Sequence, residues 1–142
     1  MTDSLFAQGQ CLCGNVHYSV SSAPSLMVQC HCKDCQTSSG TGHTSNTFFK
    51  EQDVTVTLKQ PLGEFTVTTD SGNQLTRRFC PVCGSRAHGT NTGREGMINL
   101  PVGLFEDHSW YSPRAVVYTK HRQDWDITSN DVPNFEAMPQ KK

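Results

Sequence analysis

The sequence has little charge and no surplus of either sign. Twelve Lys and Arg face thirteen Asp and Glu among 142 residues, for a net charge of −1. A chain without a basic excess lacks the footprint of non-specific nucleic-acid binding. Long apolar runs are also missing, so no stretch reaches the ~20 residues of a membrane-spanning helix. The opening residues show neither a basic segment nor an apolar core of the signal-peptide kind, and a cytoplasmic protein is expected. Low-complexity tracts and internal repeats are absent as well. Apolar residues are spread along the chain at near-zero net charge, which argues against disorder. The length fits one domain spanning residues 1–142, large enough to bury a core without disulfides.

Strand-like alternation fills the space between polar ends, which cover residues 1–8 and 137–142. Val16, Tyr18 and Val20 share one face; Leu26 and Val28 continue in phase to Cys30 and Cys32. Val54, Val56 and Leu58, then Phe65 and Val67, then Leu75, Arg77 and Phe79 repeat the pattern, with short strands expected at 97–100 and 115–118. Turn residues at 21–24, 60–63, 70–73 and 90–93 separate them. No amphipathic helix longer than two or three turns is visible. The expected class is mostly antiparallel β.

Cysteine is what the chain has in quantity: seven, at 11, 13, 30, 32, 35, 80 and 83. Cys80-Pro81-Val82-Cys83-Gly84 reads as a metal knuckle, two thiols converging on one point with Gly allowing the tight backbone. Cys11-Leu12-Cys13 places residues i and i+2 on one side of a strand. Two plus two gives a closed four-thiolate site, the structural kind. Cys30, Cys32 and Cys35 lie within six residues. They can fill three corners of a tetrahedron and leave the fourth open, as a catalytic zinc requires. Spacing leaves open other partitions, such as Cys11 and Cys13 with Cys30 and Cys32, as well as a Cys30–Cys35 disulfide. A zinc held by three thiolates activates water poorly but suits an incoming soft thiol. The chemistry this points to is a thiol placed beside an electrophile such as an aldehyde.

These motifs also carry a resemblance. Gly9-Gln10-Cys11-Leu12-Cys13-Gly14-Asn15-Val16-His17-Tyr18, Cys30-His31-Cys32-Lys33-Asp34-Cys35-Gln36 and Phe79-Cys80-Pro81-Val82-Cys83-Gly84-Ser85 resemble the three ordered motifs of the glutathione-dependent formaldehyde-activating enzyme family. Trp125 and the run from Asp131 to Phe135 are similar to the residues that close the family domain. The likeness covers about residues 9–136. It implies a β-tent (Mss4-like) fold with two zinc ions, one held by Cys11, Cys13, Cys80 and Cys83, the second by Cys30, Cys32 and Cys35. It further implies a carbon–sulfur lyase that adds glutathione to formaldehyde, giving S-hydroxymethylglutathione, with no nucleic-acid or membrane partner. The rival expectation is a binding module in which zinc only stabilises the fold; a thiol redox sensor stands further off.

Among the remaining residues, alternation turns His31 away from Cys30 and Cys32, while His43 and His88 lie in loop-like segments within possible reach of the open site. Gln36 is a candidate for orienting a ligand. Arg77, Arg78, Arg86 and Lys33 flank the cysteine motifs and are candidates for the glutathione carboxylates. Trp110, Trp125 and Phe135 are expected to pack in the core or a lid.

Overall fold

The computed structural model describes residues 5–139. In chain order it holds β1 (Ala7–Gln10), β2 (Val16–Val20), β3 (Leu26–Cys30), α1 (Lys33–Ser39), β4 (Thr44–Lys50), β5 (Val54–Leu58), β6 (Gly63–Thr68), β7 (Gln74–Phe79), β8 (Arg86–Asn91), β9 (Met97–Pro101) and β10 (Ala115–Val117), with short 3₁₀ turns between some of them. Two sheets form, β1-β2-β5 and β10-β3-β4-β9-β8-β7-β6. Every pairing is antiparallel except β10 on β3, which is parallel, so the larger sheet is mixed. No helix of the described residues is long and apolar enough to cross a membrane.

The alternation of β2 explains how the small sheet docks. Val16, Tyr18 and Val20 are buried, and they pack with Phe49, Leu100, Val102 and Phe105 from the region of β4 and β9. Gly9 permits the approach: a Cβ there would collide with the Leu104 backbone carbonyl, beside the bridge from Gly9 to Phe105. A second, smaller cluster joins Val28, Cys30, Cys35 and Val117, with Phe48, Tyr118 and Phe135 packed on it.

The structure corrects several sequence expectations. β3 stops at Cys30 rather than running on to Cys32. Cys32 instead caps α1, its sulfur accepting a hydrogen bond from the Cys35 amide at 3.2 Å. A thiol competes here for the free amides of a first helical turn, as Ser or Asp would. Cys11 and Cys13 do not enter a strand. They occupy the turn joining β1 to β2, closed by Gly14 N donating to Cys11 O at 3.1 Å with Gly14 at φ 82°. β4 and β8 form where the sequence predicts no strand, because Thr, Asn and Gly dilute their alternation. Trp125 is 66% exposed rather than packed in a core or lid, whereas Trp110 packs edge-to-face on Phe105 and tilted on Phe6.

Candidate metal centres

The turn before β2 and the turn between β7 and β8 are built alike. In each, two cysteines flank a tight bend that ends in a left-handed glycine, Gly14 or Gly84, whose amide donates back to Cys11 O or Cys80 O. Core packing of β2 against the larger sheet brings the two turns together. The sulfurs of Cys11, Cys13, Cys80 and Cys83 all lie within 4.8 Å of one another. Cys11 and Cys13 are 3.7 Å apart, as are Cys13 and Cys80. With zinc–sulfur bonds of 2.3 Å, the edge of a tetrahedron is about 3.8 Å. These sulfurs are therefore spaced for a cation at their centre. All seven cysteines are free.

Ser85 supports this cluster. Its hydroxyl oxygen accepts from Leu12 N at 3.1 Å and lies 3.2 Å from Cys83 Sγ, while Cys80 N donates to Ser85 O at 2.9 Å. The Ser85 hydroxyl holds the Cys83 thiol down to about 5, helped by the Ser85 amide. For Cys13 the pull of the Asn15 amide loses to burial and to the neighbouring sulfurs, and its pKa rises to about 11. Four sulfurs this close cannot all ionise without a positive charge among them. A divalent soft cation supplies it, so the donor set fits zinc.

The second cluster comes from one segment. β3 delivers Cys30, the cap delivers Cys32, and the first turn of α1 returns Cys35, all with sulfurs within 4.8 Å. Hydrogen bonds from Cys30 and Cys32 hold Cys35 down to about 2, with help from the Thr44 hydroxyl and the charge of Arg77. Cys30 is pushed far up by Cys32 and Cys35. Cys32 rises to about 11, because Cys35 and burial outweigh the pull of Cys30. One thiolate thus forms at the expense of its neighbours, the same frustration that a cation relieves. Among the described residues no fourth Cys, His, Asp or Glu completes this cluster. It sits instead in the wall of a cleft of about 1080 Å³, which Arg77, Arg86 and Lys33 also line. That volume lies at the upper end of small-molecule sites. Burial lowers the Arg86 pKa, opposed by the charge of Cys35 and joined by that of Arg77.

The other residues singled out from sequence fall elsewhere. Arg78 turns to the opposite face of β7 and pairs with Glu64 at 3.0 Å and with Thr90 Oγ1 at 3.0 Å. Gln36 spends its amide on backbone, donating to His31 O and His121 O at 2.8 Å each, so it ties α1 to the later segment rather than facing the cleft. His88 is held by Tyr18: its amide donates to Tyr18 Oη at 2.9 Å, and the hydroxyl lies 2.8 Å from Nδ1.

A third grouping, which sequence reasoning missed, joins His31, His43 and Asp126. His31 is fully buried, with Nδ1 at 3.1 Å from Gly42 O and Nε2 at 3.2 Å from Thr128 Oγ1. His43 Nδ1 lies 2.7 Å from Asp126 Oδ2. Its Nε2 faces Gln29 Nε2 at 3.4 Å. All four ring nitrogens already have partners, so the group acts as a latch holding residues 126–128 over the segment between Cys30 and β4. Asp126 is 83 residues from His43, and no local pattern signals that pairing.

A mostly β chain with a four-sulfur cluster, and a three-sulfur cluster opening on a cationic cleft, belongs to the class of small cysteine-rich β proteins whose thiol clusters could hold metal. The family model described as glutathione-dependent formaldehyde-activating enzyme matches residues 6–121, and the chain belongs to that family. A crystal structure of a Rhodobacter sphaeroides protein shares the fold, with a TM-score of 0.57 at 19% identity, over 72% of this chain and 90% of that one. Among curated proteins none matches.

Proposed function

We propose that this chain is a single-domain, cytoplasmic two-zinc enzyme that adds glutathione, or a similar thiol, to formaldehyde or a related aldehyde. One observation carries the reading: three converging cysteine sulfurs, with no fourth ligand among the described residues, stand in the wall of a cleft that also presents Arg77, Arg86 and Arg94. Cys11, Cys13, Cys80 and Cys83 would hold a structural zinc, and Cys30, Cys32 and Cys35 the second. Bound there, zinc would supply a soft Lewis acid that favours a thiolate over a thiol at neutral pH.

The chain's own residues would bind and orient. Arg77 and Arg86, with Lys33, offer positive charge to the carboxylates of the thiol substrate. The apolar remainder of the cleft would exclude water from the reacting carbon. In the balanced reaction the sulfur–carbon bond forms as the carbonyl double bond opens. The thiol proton ends on the new hydroxyl, giving S-hydroxymethylglutathione when the aldehyde is formaldehyde. Cysteines clustered at metal-ligand spacing suit a reducing compartment, which supports the cytoplasmic placement.

The test is metal analysis followed by glutathione titration, with X-ray absorption reporting sulfur around zinc. We expect two zincs per chain and one added sulfur neighbour on titration. Binding should tighten as pH rises toward the thiol's pKa of about 8.5, because the proton must leave. Cys32→Ser should abolish that binding with the fold intact. Fully metallated protein that ignores millimolar glutathione would put the non-catalytic binding module ahead.

A further inference from the structure

β4 and β9 pair so that Phe48 faces Asn99 and Asn46 faces Pro101. Asn46 and Asn99 therefore stand on a diagonal of the same sheet face, and both line the cleft. Both have a buried side-chain oxygen, Oδ1, with no hydrogen-bond donor. Asn46 is only 6% exposed. A buried acceptor without a donor costs about 1–3 kcal/mol, and two of them in one wall call for an explanation. A third such oxygen, Gln29 Oε1, belongs to a residue that alternates away from Val28 and Cys30 toward His43.

The orientation of Asn46 is fixed by its neighbours. Its Nδ2 donates to Thr44 Oγ1 at 2.8 Å. With the amide nitrogen on Thr44, the oxygen points elsewhere. The Asn46 oxygen is thus a buried acceptor without a donor.

We propose that Asn46 and Asn99 are the residues that set ligand specificity in the cleft, by accepting hydrogen bonds from two amide N–H groups of a peptidic thiol. Diagonal neighbours across a strand pair stand roughly 7 Å apart, room for each to take its own donor. A simple alkyl thiol has no donor beyond its sulfur, whereas a cysteinyl peptide carries an amide on each side of it. Neutral amides fit better than an ammonium group, because Arg77 and Arg86 already place positive charge in the cleft. This inference rests on the thiol-binding reading above and adds which part of the thiol is read.

The zinc-loaded full-length protein tests it by calorimetry with four ligands: glutathione, its analogue lacking the amino group, its analogue with both amide N–H groups replaced by ester oxygens, and ethanethiol. Wild type should bind the first two alike and the ester analogue more weakly. Asn99→Leu should weaken glutathione about ten-fold and leave ethanethiol and the ester analogue unchanged. Melting without ligand supplies a second readout. Asn99 makes no side-chain hydrogen bond among the described residues, so Asn99→Leu should keep or raise the melting temperature, and Asn46→Leu should weaken glutathione likewise. The ester comparison needs no variant, so a misfolded mutant leaves the test intact. Equal binding of glutathione and its ester analogue, or an unchanged preference in Asn99→Leu, overturns the inference alone. Loss of binding with the amino group rather than the amides also overturns it. If no thiol binds wild type, this inference and the proposed function fall together.

Discussion

Tyr18→Phe isolates one buried pair of hydrogen bonds. Tyr18 is fully buried in the main core, and its ring would survive the change, so no cavity forms. What goes is the hydroxyl that accepts the His88 amide at 2.9 Å and meets Nδ1 at 2.8 Å. The first loss strands a backbone N–H inside β8; the second leaves a half-buried ring nitrogen that water can partly serve. A net bond is worth about 1 kcal/mol, and a stranded buried donor adds about 1–3. The sum is about 2–4 kcal/mol. For a chain of this length that corresponds to a fall of roughly 10 °C in melting temperature. Tyr111→Phe is the control, since its hydroxyl donates a single bond to Val28 O at 3.1 Å and its loss should cost about 1 kcal/mol. Both variants should be melted with metal content checked, because the cysteines remain in place. If Tyr18→Phe melts no lower than Tyr111→Phe, the double role assigned to the hydroxyl is wrong.

Three further outcomes are expected. Burial, joined by the charge of Arg78, pushes His88 down to about 4 from 6.5. Between those values the unfolded chain takes up a proton that the folded one refuses. Stability should therefore fall as pH drops from about 6.5 toward 4, by about 1–2 kcal/mol given the ring's partial exposure. Denaturant unfolding of wild type and His88→Gln at pH 7 and 5.5 should show the smaller loss in the variant, and equal losses would refute the assignment. Cys80→Ser or Cys11→Ser should unfold or badly destabilise the protein, while a mild chelator should strip the three-cysteine site first. Retained zinc content and melting temperature in either variant, or loss of both metals together, would count against the division into closed and open sites. Gly42→Ala should cost about 1–3 kcal/mol, since the added methyl would strike the Asp126 carboxylate; an unchanged melting temperature would show that the latch yields freely.

The parts of this fold legible in the sequence were those where chemistry is local. β2, β5 and β7 alternate cleanly over at least five residues, and each cysteine group is marked by its own spacing. β4 was missed because its inward residues include Thr44 and Asn46, polar groups buried by bonding to each other. β8 was missed because its Gly89 and His88 break the apolar alternation, yet Ala87 and Gly89 are both buried. The three-cysteine segment was read as a strand continued through Cys32, since alternation carries no sign of where a helix takes over. The capping role of Cys32 is visible only once the helix is present. Nothing local pairs His43 with Asp126, or Asn46 with Asn99. The second meeting depends on sheet order, in which β9 lies beside β4 from 53 residues away.

The four-sulfur cluster has a consequence in time. Cys13 and Cys80 meet across 67 residues, a closure that costs about 4 kcal/mol in chain entropy before any bond rewards it. During synthesis at about 5–20 residues per second, the first pair of thiols leaves the ribosome several seconds before the second. Over that interval two neighbouring cysteines stand exposed without their partners, open to oxidants and to stray soft metals. The chain's yield in a cell should thus depend on how reducing its surroundings are while it is being made, more than on how stable it is once finished.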